Sequence, residues 1–330
     1  MTAWERLNAR LGAETLPLVA FLLLVVAGFS LATPLFLTGA NLRSMAFQLP
    51  VLGLLTLAML VPILSGGLNL AIVYQANLSG LTLAWVLIQF GGPEAGFGAF
   101  VLGAILAMLV GALSGAVMGA VVAYVGAHPI LVSLAMMIFL RGLGEFLTRG
   151  GDISGFPAYM NMLGHGSLFG LPVPMLVFLF AAIIWHVMLK RTRNGFSVYM
   201  IGSNIDASEY SGLHTRRTLT LIYTISGVIC AVAGILMAAS FNSVRVGHGE
   251  ALLLVTVLAC FLGGIDPFGG FGRVLPVVVA LMILQALSSG LNLIGTNQHL
   301  STAVWGLFLI GVMALRYAAI RWQGRQKRGQ

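Results

Sequence analysis

The stretch AFQLPVLGLLTLAMLVPILSGGLNLAIVYQANLSGLTLAWVLIQ, residues 46–89, runs for 44 positions without a charged side chain. A helix needs about 20 apolar residues to cross ~30 Å of hydrocarbon. The stretch therefore holds two spans, 46–65 and 68–89, parted only by Ser65, Gly66 and Gly67. Working outward with the same criteria of length and breaking residues places further spans near 15–37, 98–124, 129–148, 169–189, 217–241, 250–264, 274–293 and 299–318. The eighth is short, so a count of nine, or a re-entrant segment at 250–264, is the alternative to ten. The predicted fold class is all-α: a polytopic transmembrane helical bundle of about ten spans. Its parts are an N-terminal segment 1–14, a transmembrane domain 15–318 interrupted by the basic loop 190–217, and a basic tail 319–330.

Composition agrees. Of the 330 residues, 59% are hydrophobic and 8% charged, and the mean hydropathy is +1.00. A soluble domain carries about a quarter of its residues as charges, so this chain has little water-facing surface.

Lys and Arg concentrate in cytoplasmic loops, which sets the orientation. With ten spans and both termini inside, Arg6, Arg10, Lys190, Arg191, Arg193, Arg216, Arg217, Arg273, Arg316, Arg321, Arg325, Lys327 and Arg328 are cytoplasmic, and Arg43, Arg141, Arg149 and Arg245 lie outside or near the outer ends of spans. The split is 13 to 4 among the 17 basic residues; the opposite topology reverses it. The formal charge of +8 is thus a topology signal. Nucleic-acid binding needs a contiguous basic face, and these charges are scattered, so no nucleic-acid partner is expected. The expected location is the cell (inner) membrane, multi-pass.

Arg6 and Arg10 precede the first apolar run, as in a secretory signal, but a signal core is only about 7 to 15 residues and ends in a small-residue cleavage site. The run continues to Thr33-Pro34 without one, so it reads as a retained anchor. Cys230 and Cys260 both fall in apolar spans and read as small hydrophobes, with no metal site implied. The 15 methionines are scattered, as core filler is. Trp4, Trp185 and Trp322 sit near span edges, where an aromatic belt is expected.

A phosphate-cradling Walker loop needs a Gly-rich turn followed by Lys, yet the only lysines are Lys190 and Lys327 and neither follows glycine. The chain is not expected to hydrolyse ATP, nor to be an enzyme of another kind, since no nucleophile, base and metal set clusters in it. Intramembrane acids that mark proton relays are scarce: Glu145 is near an outer end, while Glu94, Asp152 and Glu250 read as external-loop residues. Gly269, Gly270 and Gly272 follow no strand, so they read as a tight turn or close helix packing rather than a nucleotide fingerprint.

The loop 190–217 is the most organised polar stretch. Ser203-Asn204-Ile205-Asp206 reads as a capping box, Ala207, Ser208, Glu209 and Tyr210 continue a short helix, and Gly212 is placed to end it in the left-handed conformation. By composition it is either a solvated connector or a docking helix for another subunit.

These residues also carry a resemblance. Tyr199-Met200-Ile201-Gly202-Ser203-Asn204, followed by Asp206 to Leu213, resembles the coupling loop of ATP-binding-cassette permeases of the ribose, arabinose and xylose importer type, which read YAIGGN, then EAA, then SGI. IYTISGVICAVAGILMAA (222–239), LGGIDPFGGFGRVLP (262–276) and SSGLNLIG (288–295) resemble the same family in the same order. Upstream, SGGLNLA (65–71) stands where the family has GGIDLS, and HPILVSLAMMIFLRGLGEFLTRGG (128–151) resembles its fifth span. The resemblance covers roughly residues 45–318, and order and spacing make it specific.

It implies a type II-like importer permease: two permease subunits, identical or sister chains, each resting on an ATPase subunit that holds ATP and Mg, with a periplasmic or surface-tethered solute-binding protein delivering a small polar solute. No cofactor is expected in this chain. Ser203, Asn204, Asp206, Ala207, Ser208, Glu209 and Gly212 are the implied coupling residues. The implied solute is a monosaccharide or related polyol, with a nucleoside or another small polar solute as alternative, because Asn69 stands where many sugar permeases have Asp and Ile72 to Asn77 depart from the usual continuation. An ion-coupled carrier is the reading from a different class; uptake that collapses with the ion gradient would mark it.

Asn69, Gln75 and Asn77 lie at or just after a helix break. Unwound backbone at membrane depth is tolerated where it is buried in protein or lines a cavity, so they either face a translocation path or bond neighbouring helices. GLNL recurs at 290–293, which adds Asn292 to the path candidates, although four letters in a chain rich in Leu and Gly do not establish an internal repeat. Arg43, Arg149 and Arg245, the outer exceptions to the charge rule, are the candidates for docking a binding protein.

Overall fold

A computed structural model describes residues 15–168, 170–296, 300, 303–308, 310 and 311. Twelve helices are delimited among them: α1 Thr15–Ala32, α2 Gly39–Leu64, α3 Ile72–Gln89, α4 Phe97–Ala120, α5 Pro129–Thr148, α6 Ala158–His165, α7 Val173–Arg191, α8 Arg193–Ser203, α9 Ile205–Tyr210, α10 Thr215–Phe241, α11 Leu252–Leu262 and α12 Val274–Leu293. A π-helical turn, Val121–Val125, extends α4. Four two-residue strands, β1 Ile153–Ser154, β2 Ser167–Leu168, β3 Leu171–Pro172 and β4 Ser243–Val244, make two small antiparallel pairs, β1 with β4 and β2 with β3.

Local chemistry sets the helix ends. Thr38 caps α2 by accepting from the Asn41 amide at 3.4 Å, and Pro129 opens α5 at a position where its missing N–H costs nothing. Eight described helices, α1 to α5, α7, α10 and α12, are long and apolar enough to cross a membrane. The expected tenth span, 299–318, lies mostly outside the described residues, as do the segments 1–14 and 319–330; Leu300, 303–308, 310 and 311 are helical.

The bundle is built around α2 and α10. The apolar stretch of α2 is almost wholly enclosed by protein, whereas α1, α4, α5 and α7 expose most of theirs. Gly111, Gly115 and Gly119 repeat every fourth residue on α4, and a Cβ on them would stand 2.4 Å from the Gly227 carbonyl, 2.1 Å from the Tyr223 carbonyl and 2.8 Å from the Thr220 Cα of α10. Small residues at this spacing let two backbones touch, which drives helix association where lipid offers no hydrophobic gain.

The expected eighth span is a half-length helix. At 11 residues, α11 covers about 16 Å, half of the hydrocarbon. The rest of the crossing is non-helical: α10 ends at Phe241, and the chain runs through β4 and residues 245–251 back into the bundle before α11 begins. Asn77, on the second turn of α3, donates to the carbonyls of Val246 and of His248 (3.0 Å) and so holds this segment against the helices. Glu250 is therefore no external-loop residue; it sits beside Tyr74 of α3, whose hydroxyl donates to it at 3.0 Å.

Trp185 also departs from expectation. It is 1% exposed in the core formed by α2, α7 and α10 and belongs to no aromatic belt; Trp4 and Trp322 lie outside the described residues.

Candidate functional site

Three layers of polar structure run along the bundle. The first is a platform at the end that carries Lys190, Arg191, Arg193, Arg216, Arg217 and Arg273, called the basic end. The loop 190–217 holds two helices rather than one. Thr192 accepts from the Gly195 amide at 3.1 Å and starts α8; Asn204 accepts from the Ala207 amide at 2.9 Å and starts α9. The expected capping box does not form: Ser203 is the last residue of α8, and Asn204, one position later, is the cap. Asn and Ser cap equally well, so the choice falls to the chain's path. Gly212 takes φ +79°, the left-handed conformation expected of it. Ser208 is buried and donates to the Asn204 carbonyl at 2.8 Å. Asp206, Ala207 and Glu209 are exposed, as are Ile205 at 46% and Tyr210 at 94%. An almost fully exposed Tyr on a fixed short helix has the form of a contact surface.

This platform is joined to the bundle through glycines. The Gly270 amide donates to the Leu64 carbonyl at the end of α2, 2.9 Å away. A Cβ on Gly202 would stand 1.9 Å from that same carbonyl and 2.5 Å from the Gly270 nitrogen, so three backbones meet where only glycine fits. Gly269, Gly270 and Gly272 have φ of +91°, +79° and +145°, the tight turn expected of them. Tyr199 of α8 donates to the Gly272 carbonyl at 2.8 Å, and burial pushes its phenol pKa up despite the opposing charge of Arg273.

Five residues beyond Leu64 lies the second layer, the break between α2 and α3. Asn69 is 0% exposed. Its amide donates to Gln75 Oε1 at 3.0 Å and to Ser226 Oγ at 2.9 Å, and its Oδ1 accepts from the Ala71 amide at 3.0 Å, which starts α3. Ser226 in turn donates to the Ala58 carbonyl of α2 at 2.7 Å, and Gln75 donates to Ser114 of α4 at 3.2 Å. One side chain thus joins α2, α3, α4 and α10. Ser226 stands 11 residues along α10 from Thr215, about 16 Å from its start, so the break is deep in the bundle. Tyr223 packs its hydroxyl against Gly67 and finds no hydrogen-bond partner among the described residues.

The four path candidates are not all brought together. Asn69 and Gln75 bond each other and Asn77 lies two residues further along α3, the three being buried at 0%, 1% and 3% exposure. Asn292 is exposed on the last turn of α12, a helix that packs chiefly on α1, α2, α7 and α11. Sequence reasoning missed Ser114, Ser226 and Gly202 as working partners; the only signal for Gly202 was its place in the quoted motif, and nothing local marks the two serines.

The third layer is at the opposite, distal end. Arg245 pairs with Asp152 at 3.8 Å beside the β1–β4 contact, and both are about half exposed. Arg149, φ +52°, closes α5 three residues before Asp152, so Arg149 and Arg245 flank the same small sheet. Arg43 is exposed on the second turn of α2. Reversing the charge of Arg149 and Arg245 together should weaken capture of a binding protein severalfold at low salt and less at high salt, because exposed charges are screened within about 10 Å at 0.1 M. Affinity of the purified pair, measured against ionic strength, checks this; an unchanged low-salt affinity would remove these arginines from docking.

Comparison with known proteins agrees with this architecture. Residues 41–313 match the family described as branched-chain amino acid transport system / permease component. The chain is 30% identical over 307 residues to the autoinducer 2 import system permease protein LsrD of Yersinia enterocolitica, covering 91% of each chain. It is also 30% identical over 316 residues to LsrD of Yersinia pseudotuberculosis strain YPIII, covering 94% of this chain and 92% of that one. No solved structure matches it significantly. A polytopic helical bundle, matched over most of its length, with the break after α2 tied to the basic-end platform, is a transporter's membrane subunit: the chain belongs to this family of transport-system permease components.

Proposed function

We propose that the chain is one permease half of a binding-protein-dependent importer driven by a separate ATPase. It lies in the inner membrane with the basic end and both termini in the cytoplasm. A second permease copy or a sister permease completes the pore. The observation that carries this reading is the glycine junction of Gly202, Gly270 and Leu64, which connects the exposed α8–α9 platform to the Asn69 break. A force on α9 reaches α2 and α3 through backbone contacts that have no slack, and packed elements respond by switching rather than deforming. The excess of Lys and Arg at the platform end supports the orientation.

The solute is a small hydroxyl-rich molecule, a monosaccharide or related polyol. The two LsrD relatives place autoinducer 2 first in the panel to be tried, and the family description makes leucine the discriminating control. Uptake into proteoliposomes that contain the permease, its ATPase and its binding protein should require ATP inside and persist without an ion gradient. Uptake that follows the gradient instead overturns the ATP-driven reading.

Gly212→Val tests the platform. The left-handed φ at Gly212 strains any β-branched residue by ~1–2 kcal/mol, although a Cβ there meets nothing within 4 Å. Solute-stimulated ATPase activity should fall severalfold in this variant, and in Ala207→Glu, with membrane insertion intact. Full stimulation in both would dissociate α9 from coupling.

A further inference from the structure

Arg141 of α5 lies seven residues before that helix ends at Thr148, about 10 Å into the bundle from the distal end. Its Nε contacts Glu145 Oε1 at 3.0 Å, its NH1 lies 3.7 Å from Glu250 Oε1, and its guanidinium stands 6.0 Å from the centre of the Tyr74 ring. The Tyr74 hydroxyl donates to the same Glu250 oxygen. The three charged side chains are each about half exposed, although α5 is otherwise apolar enough to span a membrane. Charges at such depth do not face lipid; they face a protein interior or a water-filled cavity.

A second feature points to water at the same place. The non-helical segment 245–251, a run of turns, ends beside this cluster, and non-helical backbone at membrane depth persists where it is buried or lines a cavity. Half-helices that begin at such a point mark solute sites in other transporters, and α11 begins at Leu252, two residues after Glu250.

We propose that Arg141, Glu145, Glu250 and Tyr74 form a wet station on the translocation path that holds an uncharged solute bearing adjacent hydroxyl groups. The proposal rests on the importer reading above and names the contact its solute makes. Arg141 is already shared between two carboxylates, so a zwitterion must break those pairs to bind, leaving charges uncompensated. A hydroxyl-bearing solute need not: each carboxylate has a second oxygen to accept from a hydroxyl, and the outer guanidinium N–H groups remain to donate. The station is linked to the power stroke, since Tyr74 adjoins Gln75 of the Asn69 network and Asn77 holds the turn segment that carries Glu250.

The test needs no ATPase. Gly142 and Gly247 border the station, and a Cβ on either meets nothing within 4 Å; Cys230 and Cys260 are fully buried and leave a quiet background. In the full chain reconstituted in nanodiscs, Gly142→Cys and Gly247→Cys should react with a charged, water-soluble thiosulfonate. Saturating D-ribose or ribitol should slow that reaction at least fivefold, and L-leucine or choline should not. Adding Glu250→Gln should abolish the protection while leaving the unprotected rate within twofold. Reaction with a lipid-soluble maleimide only would mean that this face meets lipid, and the station is then wrong. Protection by leucine or choline, or by none of the four probes, overturns its assignment to hydroxyl-rich solutes. None of these results depends on ATP, so they are separable from failure of the importer reading itself, which the uptake assay decides.

Discussion

Asn69→Leu should abolish uptake while leaving the chain inserted in the membrane. The leucine cannot accept from the Ala71 amide or donate to Gln75 and Ser226, all of which are buried. Each stranded buried polar group costs ~1–3 kcal/mol, and the loss falls on the junction of α2, α3, α4 and α10 rather than on one helix. Asn69→Asp should be milder. It keeps the acceptor for Ala71, and the Gln75 amide can rotate to donate to the new carboxylate, since which way an amide points is decided by its hydrogen bonds. Ser226, with one hydroxyl proton, can donate to that carboxylate only by giving up the Ala58 carbonyl, so some loss remains. The measurement is uptake at saturating binding protein, with insertion checked by protease accessibility. The maximal rate should fall and the apparent affinity should hold, because the binding protein selects the solute. Parental uptake by Asn69→Leu would show that the network is packing alone.

Gly202→Val should uncouple the transporter. No side chain fits where a Cβ stands 1.9 Å from the Leu64 carbonyl, so α8 must move away from α2 and the Gly270 to Leu64 hydrogen bond must lengthen. The spans themselves are untouched, so the protein should insert and still bind its ATPase through α9. Basal ATPase activity of the complex should remain and solute-stimulated activity and uptake should both be lost, by tenfold or more. Gly202→Ala should lie between, since one methyl still violates the contact. Equal stimulation of the wild-type and Gly202→Val complexes would mean that force reaches α3 by another route. The two variants are distinguishable: loss of the Asn69 network should also lower the thermal midpoint of the detergent-purified permease, whereas the Gly202 lesion is at the periphery and should move it less.

Much of this molecule is legible in its sequence because the bilayer imposes length. From 15–37 to 274–293, the spans other than the eighth could be placed from apolar run length and from breakers such as Ser65-Gly66-Gly67, since every backbone polar group in hydrocarbon must bond within its own helix. Gly212 announced its left-handed turn, and the glycines at 269, 270 and 272 their tight one, because both are local backbone requirements. The order of short motifs carried the family, which the match over residues 41–313 supports.

Tertiary structure decided what length and propensity leave open. LLLVTVLACFL at 252–262 is as apolar as a full span, and only its neighbours, through Asn77, determine that the preceding ten residues return as a short strand and a run of turns rather than as helix. Asn69 could have faced a path or its neighbours from sequence; its partner Ser226 lies 157 positions away and donates in turn to Ala58, 168 positions from Ser226, and such pairings leave no local signal. Asn292 shares the GLNL letters of Asn69 yet stands exposed on another helix, because identical tetrapeptides acquire their surroundings from packing. The cap moved from Ser203 to Asn204 for the same reason: either side chain can satisfy a free amide, and the junction at Gly202 fixes where α8 stops. Sequence settled which segments are helices in a membrane. Contacts between residues far apart in the chain settled which polar groups meet.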